Sequence, residues 1–68
     1  MLEYERLDQI IACLRERQTD TVKNLAQRLY ASEATIRRDL TTLERRGLVK
    51  RLHGGAALIA GVQRELPL

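Results

Sequence analysis

A chain with neither phenylalanine nor tryptophan, and with Tyr4 and Tyr30 as its only aromatics, must close its core with Leu, Ile, Val and Ala. Such side chains suit short helices packed closely together. At 68 residues there is room for one domain, and a domain of this size buries only about 60% of the surface its unfolded chain exposes. The core is therefore modest, with little space for a deep substrate pocket. A single cysteine, Cys13, excludes an internal disulfide, and with one histidine, His53, it cannot build a structural zinc site unless several carboxylates join it. No metal or cofactor is expected in this chain. No stretch approaches the roughly 20 apolar residues that span a bilayer, and the acidic start Met1-Leu2-Glu3-Tyr4-Glu5-Arg6 is unlike a cleavable secretion signal. These features read as a soluble, cytoplasmic domain with no membrane partner.

The apolar residues fall into three helical stripes. In residues 3 to 18, Leu7, Ile10, Ile11 and Leu14 recur at i, i+3, i+4 and i+7. Thr19-Asp20-Thr21 is a polar break, and the Thr21 hydroxyl can accept a hydrogen bond from a free amide of a following helix. That second helix runs from about Val22 to Leu29 on Val22, Leu25, Ala26 and Leu29, and at barely two turns it depends on packing. Ser32, the sole serine, stands at the cap position of a third helix spanning about 33 to 46. Its apolar stripe, Ile36, Leu40 and Leu43, is narrow. At 100° per residue Ala34, Arg38, Thr41 and Arg45 point the other way, flanked by Thr35, Arg37 and Thr42. Gly47 lies where a left-handed residue ends a helix at little cost.

Beyond Gly47, Leu48-Val49-Lys50-Arg51-Leu52 has strand character, His53-Gly54-Gly55 is a turn, and Ala56 to Ile59 supplies a return strand. A lone hairpin is not stable in water, so this one must lean on the helices. The expected architecture is mainly α with a small β hairpin: three helices plus a wing at about 48 to 59, a winged helix-turn-helix. The domain then covers 1 to 58, with its helix-turn-helix unit at about 20 to 39, and 59 to 68 reads as a linker or the start of a further domain.

Charge is unevenly placed. In residues 1 to 31 the bases Arg6, Arg15, Arg17, Lys23 and Arg28 are cancelled by Glu3, Glu5, Asp8, Glu16 and Asp20. The net charge of +3 resides in residues 32 to 57, where Arg37, Arg38, Arg45, Arg46, Lys50 and Arg51 face only Glu33, Asp39 and Glu44. A polyanion-facing surface on a neutral scaffold has this distribution, although a charge run is more commonly a solvated face. The major groove of B-form DNA admits one helix, whose short polar and Arg side chains read base edges. On this reading Ser32, Thr35, Arg37, Arg38 and Thr41 face double-stranded DNA. Lys50, Arg51, His53 and the amides of Gly54 and Gly55 hold phosphates. An enzyme is disfavoured, because Ser32 and His53 fall on separate elements and no phosphate loop or metal-spaced cluster exists. A winged helix that binds protein is the stronger rival, and salt discriminates, since phosphate-dominated binding weakens steeply as counterions are added.

The order of these residues also resembles a known family. Arg6, Ile10 and Leu14, then Ser32, Thr35-Ile36-Arg37-Arg38-Asp39-Leu40, Leu43, Gly47, Arg51 and His53-Gly54-Gly55-Ala56 look like the amino-terminal domain of DeoR-type (deoxyribose operon repressor-like) regulators over residues 3 to 58. The resemblance implies a transcriptional repressor of a sugar or carbohydrate operon, with Thr35, Arg37 and Arg38 facing the operator. It also implies a larger carboxy-terminal domain, absent from these residues, that binds a phosphorylated sugar effector and makes a homo-oligomer. The isolated domain is then a monomer that binds weakly. Asp20 stands where the family usually has a strand-forming aliphatic residue, and Lys23-Asn24 where an acidic pair is common, which speaks against a first short strand beside the wing.

Several residues have plainer roles. Cys13 at the edge of the first stripe reads as a partly buried small hydrophobe. Asp39, an acid in a basic helix, would repel phosphate and is expected to pair with an arginine such as Arg46 or Arg51. Thr41, Thr42 and Arg45 read equally as solvated, and Tyr30 as filler in the turn or as a phosphate donor.

Overall fold

A computed structural model describes residues 2 to 59. In chain order these form α1 (Glu3–Arg17), β1 (Thr19–Thr21), α2 (Val22–Leu29), α3 (Glu33–Arg45), β2 (Val49–Leu52) and β3 (Gly55–Leu58). Apart from Ile59, the segment read as a linker lies outside the described residues.

The first helix starts where Glu5 accepts a hydrogen bond from the Leu2 amide at 3.1 Å. Glu3 and Glu5 in its first turn, and Arg15 and Arg17 in its last, complement the helix dipole. Leu7, Ile10 and Leu14 are buried, while Ile11 and Cys13 pack half-buried at the edge of the core. The helix stops at Arg17, and Gln18 turns the chain with φ 73°.

The next segment corrects one expectation. Thr19–Thr21 is a strand, and β3 lies between it and β2 in an antiparallel sheet of order β1-β3-β2. Asp20 is not aliphatic, yet pairing is made by backbone groups, with Thr19, Asp20 and Thr21 opposite Ala57, Ala56 and Gly55. The Asp20 side chain is 8% exposed, one carboxylate oxygen accepting the Thr21 amide at 2.8 Å and the other lacking a partner among the described residues. A buried unsatisfied acceptor costs about 1–3 kcal/mol, so the strand forms despite Asp20, on the strength of its ladder.

The small residues of β3 make that ladder possible. A side-chain carbon on Gly55 would lie 2.2 Å from the Asp20 carbonyl oxygen. Gly55 is therefore a strand residue buried against β1, not a third residue of an exposed turn as its sequence context suggested. The turn proper is His53-Gly54, with Gly54 at φ 78° and its carbonyl accepting the Val22 amide at 2.9 Å. The hairpin tip is thus fastened to the start of α2.

Thr21 caps α2 as its position predicts, accepting the Asn24 amide at 3.0 Å. Val22, Leu25, Ala26 and Leu29 are buried, which holds a helix too short to persist alone. Its end is unusual. Tyr30 takes the left-handed conformation (φ 55°, ψ 43°), and the Ala31 amide reaches back to the Ala26 carbonyl at 3.0 Å. Glycine normally fills such a cap, and a side chain there costs about 1–2 kcal/mol. The Tyr30 side chain is not turn filler, for the residue is 96% exposed.

Ser32 caps α3 by accepting the Thr35 amide at 3.1 Å. Ile36, Leu40 and Leu43 enter the common core with Ile10, Leu14, Leu25 and Val49. The helix closes at Arg45, with Arg46 as its cap and Gly47 at φ 78°.

Candidate nucleic-acid interface

The inner face of α3 includes an acid. Asp39 is 2% exposed beside Ile36, Leu40 and Leu43. Its carboxylate accepts two hydrogen bonds from one guanidinium, Arg6 Nε at 2.5 Å and Arg6 Nη2 at 3.1 Å. The partner is thus Arg6 of α1, and not Arg46 or Arg51. The reason is directional: Asp39 lies on the side of α3 turned into the core, whereas Arg46 is exposed at the helix end and Arg51 engages Thr41. The hydrogen bond to Asp39 raises the Arg6 pKa, outweighing the opposing effect of desolvation, with smaller Coulombic support from Asp39 and Glu3. A base whose pKa is raised on folding stabilises the fold below its unfolded value and loses that contribution only as pH climbs through the folded one. For an arginine that window is strongly alkaline, so the brace is constant across neutral pH. Sequence reasoning did not single out Arg6 as a structural residue, although its place four residues before Ile10 puts it on the inward side of α1.

The outer face is basic. Glu33, Ala34, Arg37, Arg38, Glu44 and Arg45 are exposed, and Thr35 and Thr41 are half-buried beside them. Arg37 reaches back one turn to Glu33 at 3.2 Å, with both side chains about half in solvent. Such an exposed i,i+4 pair is weak, and phosphate or a base edge competes with it easily. Among the described residues Arg38, Arg45 and Lys50 make no side-chain hydrogen bond or ion pair, and His53 stands exposed at the hairpin tip.

Several residues nominated from sequence are already engaged. The Ser32 hydroxyl accepts from the Thr35 amide and donates to the Thr35 hydroxyl at 3.0 Å. Thr41 donates to the Arg37 carbonyl at 3.0 Å and accepts from Arg51 Nη1 at 3.2 Å. That bond ties β2 to the basic side of α3. Arg51 is half-buried, and its Nε has no partner among the described residues. The Gly54 carbonyl is used by Val22 and Gly55 is buried. The structure therefore gathers Arg37, Arg38, Thr41 and Arg51 on one side of α3 and its adjoining strand. Ser32 and Thr35 stand at the amino-terminal end of that helix, and Gly55 lies beneath.

A capped two-turn helix, a tight turn, a second helix with one basic face, and a hairpin fastened beside it form a winged helix-turn-helix. The DeoR-like helix-turn-helix domain matches residues 6–61. The chain belongs to this family. It is 51% identical over 65 residues to an Escherichia coli protein carrying the provisional name galactitol utilization operon repressor, covering 96% of this chain and 58% of that protein. It is 45% identical over 65 residues to the uncharacterized HTH-type transcriptional regulator FruR of Bacillus subtilis, covering 96% of this chain and 26% of the relative. A lactose phosphotransferase system repressor of Streptococcus mutans is 45% identical over 56 residues, 82% of this chain and 22% of that protein. The chain thus spans between about a quarter and three fifths of the length of the first two relatives. No solved structure matches it. Among the described residues no helix is long and apolar enough to cross a membrane, and no group of His, Cys, Asp and Glu could hold a metal ion.

Proposed function

We propose that this chain is the DNA-reading part of a cytoplasmic transcriptional repressor of a sugar or sugar-alcohol utilization operon. The observation that carries the reading is the two-sided character of α3. One side is locked into the core through Asp39 and three aliphatic residues, and the other carries Arg38 and Arg45, whose side chains have no partner among the described residues. Inserted in the major groove, this helix brings Thr35, Arg37 and Arg38 to base edges, while Lys50 and His53 meet phosphates flanking the groove. The galactitol and lactose repressors among the relatives support the metabolic class. Repression follows from occlusion of polymerase. In the full-length protein a phosphorylated sugar effector acts on a separate, larger domain that also makes the homo-oligomer. Alone, this domain is a monomer, and its affinity for a single site is micromolar or weaker, in the range of phosphate-dominated contacts.

Titrating the isotope-labelled chain with a short duplex, and following backbone amide shifts at two salt concentrations, tests the assignment. Salt-sensitive shifts confined to residues 32 to 42 and 49 to 56 are expected. Shifts spread over α1, or none, would point to a protein partner in place of DNA.

A further inference from the structure

Tyr30 sits in the turn between the two helices of the reading unit, and it is held there against its own preference. Its left-handed backbone is fixed by the return of the Ala31 amide to the Ala26 carbonyl, in a cap where glycine is far less strained. A strained residue persists when its surroundings impose it or when its side chain is needed. Here no packing compensates, because the residue is 96% exposed. The phenol is thus displayed on a fixed backbone two residues before Ser32, the cap of the helix assigned to the groove. Its immediate neighbours, Leu29 and Ala31, turn toward the core, and the exposed residues around it are polar. Gln27, Arg28 and Ser32 are exposed, whereas the other exposed large apolar residues, Leu2, Tyr4, Leu52 and Ile59, belong to other elements. An exposed tyrosine with no other large exposed apolar side chain on its turn is a poor start for an apolar protein contact. It suits an anion that accepts a hydrogen bond.

We propose that the Tyr30 hydroxyl donates a hydrogen bond to a DNA backbone phosphate next to the amino-terminal end of α3. Tyrosine is one of the neutral side chains that position proteins on a duplex through phosphate oxygens without reading sequence. The inference rests on the DNA-binding reading above. It adds a contact at the turn that fixes how deep α3 enters the groove.

The test compares wild type, Tyr30→Phe and Tyr30→Gly for binding to a random-sequence duplex about two helical turns long, across a salt series. Loss of the hydroxyl in Tyr30→Phe should weaken binding about three- to tenfold with an unchanged thermal midpoint. Because the lost donor is neutral, the slope of log affinity against log salt should not change, unlike the slope after loss of a lysine. Tyr30→Gly should lose at least as much affinity while melting at a higher temperature, which separates the contact from any effect on folding. Parity of Tyr30→Phe with wild type would overturn the proposal while leaving the DNA-binding reading intact. Failure of the wild-type chain to bind duplex at any salt concentration would bring down both.

Discussion

The third helix and the hairpin are both basic, yet the fold treats their charges differently. On α3 the cationic side chains point outward, and among the described residues their one tie is the weak surface pair of Arg37 with Glu33. On the hairpin Arg51 is drawn onto Thr41, the Gly54 carbonyl is bonded to Val22, and Gly55 is buried against β1, which leaves Lys50 and His53 without side-chain partners among the described residues. A basic strand beside a basic helix is thus as much a buttress as a charged surface. Residues of the same chemical type must be sorted by what they already hold.

The largest effect is expected from removing the brace behind α3. Arg6→Met leaves Asp39 buried without its partner and should cost about 3 kcal/mol, a moderate value for a pair whose arginine retains some exposure. Denaturant unfolding measures it, and an unchanged midpoint would mean that the pair does not hold the helix. Gly55→Ala comes second in size. A methyl group driven toward the Asp20 carbonyl should separate β1 from β3 at a cost of about 2 kcal/mol, visible as a lower melting temperature. If Gly55 serves DNA alone, stability would stay the same and only binding would fall.

On the outward side the expected signature reverses. Arg38→Ala should leave stability within about 0.5 kcal/mol of wild type, as surface changes do, while costing about 1–3 kcal/mol in binding to a specific operator and relaxing base preference at one position. Equal losses on specific and random duplex would remove its base-reading role. Lys50→Ala should have the smallest effect, a loss of about 1 kcal/mol or less that is uniform across sequences. The salt slope should fall by about 1. An unchanged slope would show that the hairpin makes no phosphate contact through this lysine.

Local chemistry was the part most legible from sequence. Thr21 and Ser32 could be placed as caps because a cap acts on an amide three residues away, and Gly47 as a helix end because its backbone freedom matters at its own position. The same holds for the outward face of α3, which comes from periodicity. Long-range pairings were not legible. Arg6 and Asp39 are 33 positions apart, and although their spacing from Ile10, Ile36 and Leu43 turns both inward, nothing in either segment says that the two meet. The first strand was missed for a similar reason. Its own residues, Thr19-Asp20-Thr21, argue weakly for a strand, and the deciding factor is the lack of bulk at Gly55 and Ala56 on the strand that receives it. Tyr30 reads two ways in the sequence, and its exposure removes only the turn-filler reading.

The bond between the Gly54 carbonyl and the Val22 amide has a consequence for control. Together with the Arg51 link to Thr41, it makes the hairpin, α2 and α3 parts of one stiff template whose contact points cannot be respaced by a small local push. A signal that loosens the grip on an operator therefore has little to gain from bending the template. On the proposed reading of a homo-oligomeric repressor, control falls instead on how two such templates are presented to successive turns of the duplex, so that both seat at once or neither does, while each copy keeps its shape.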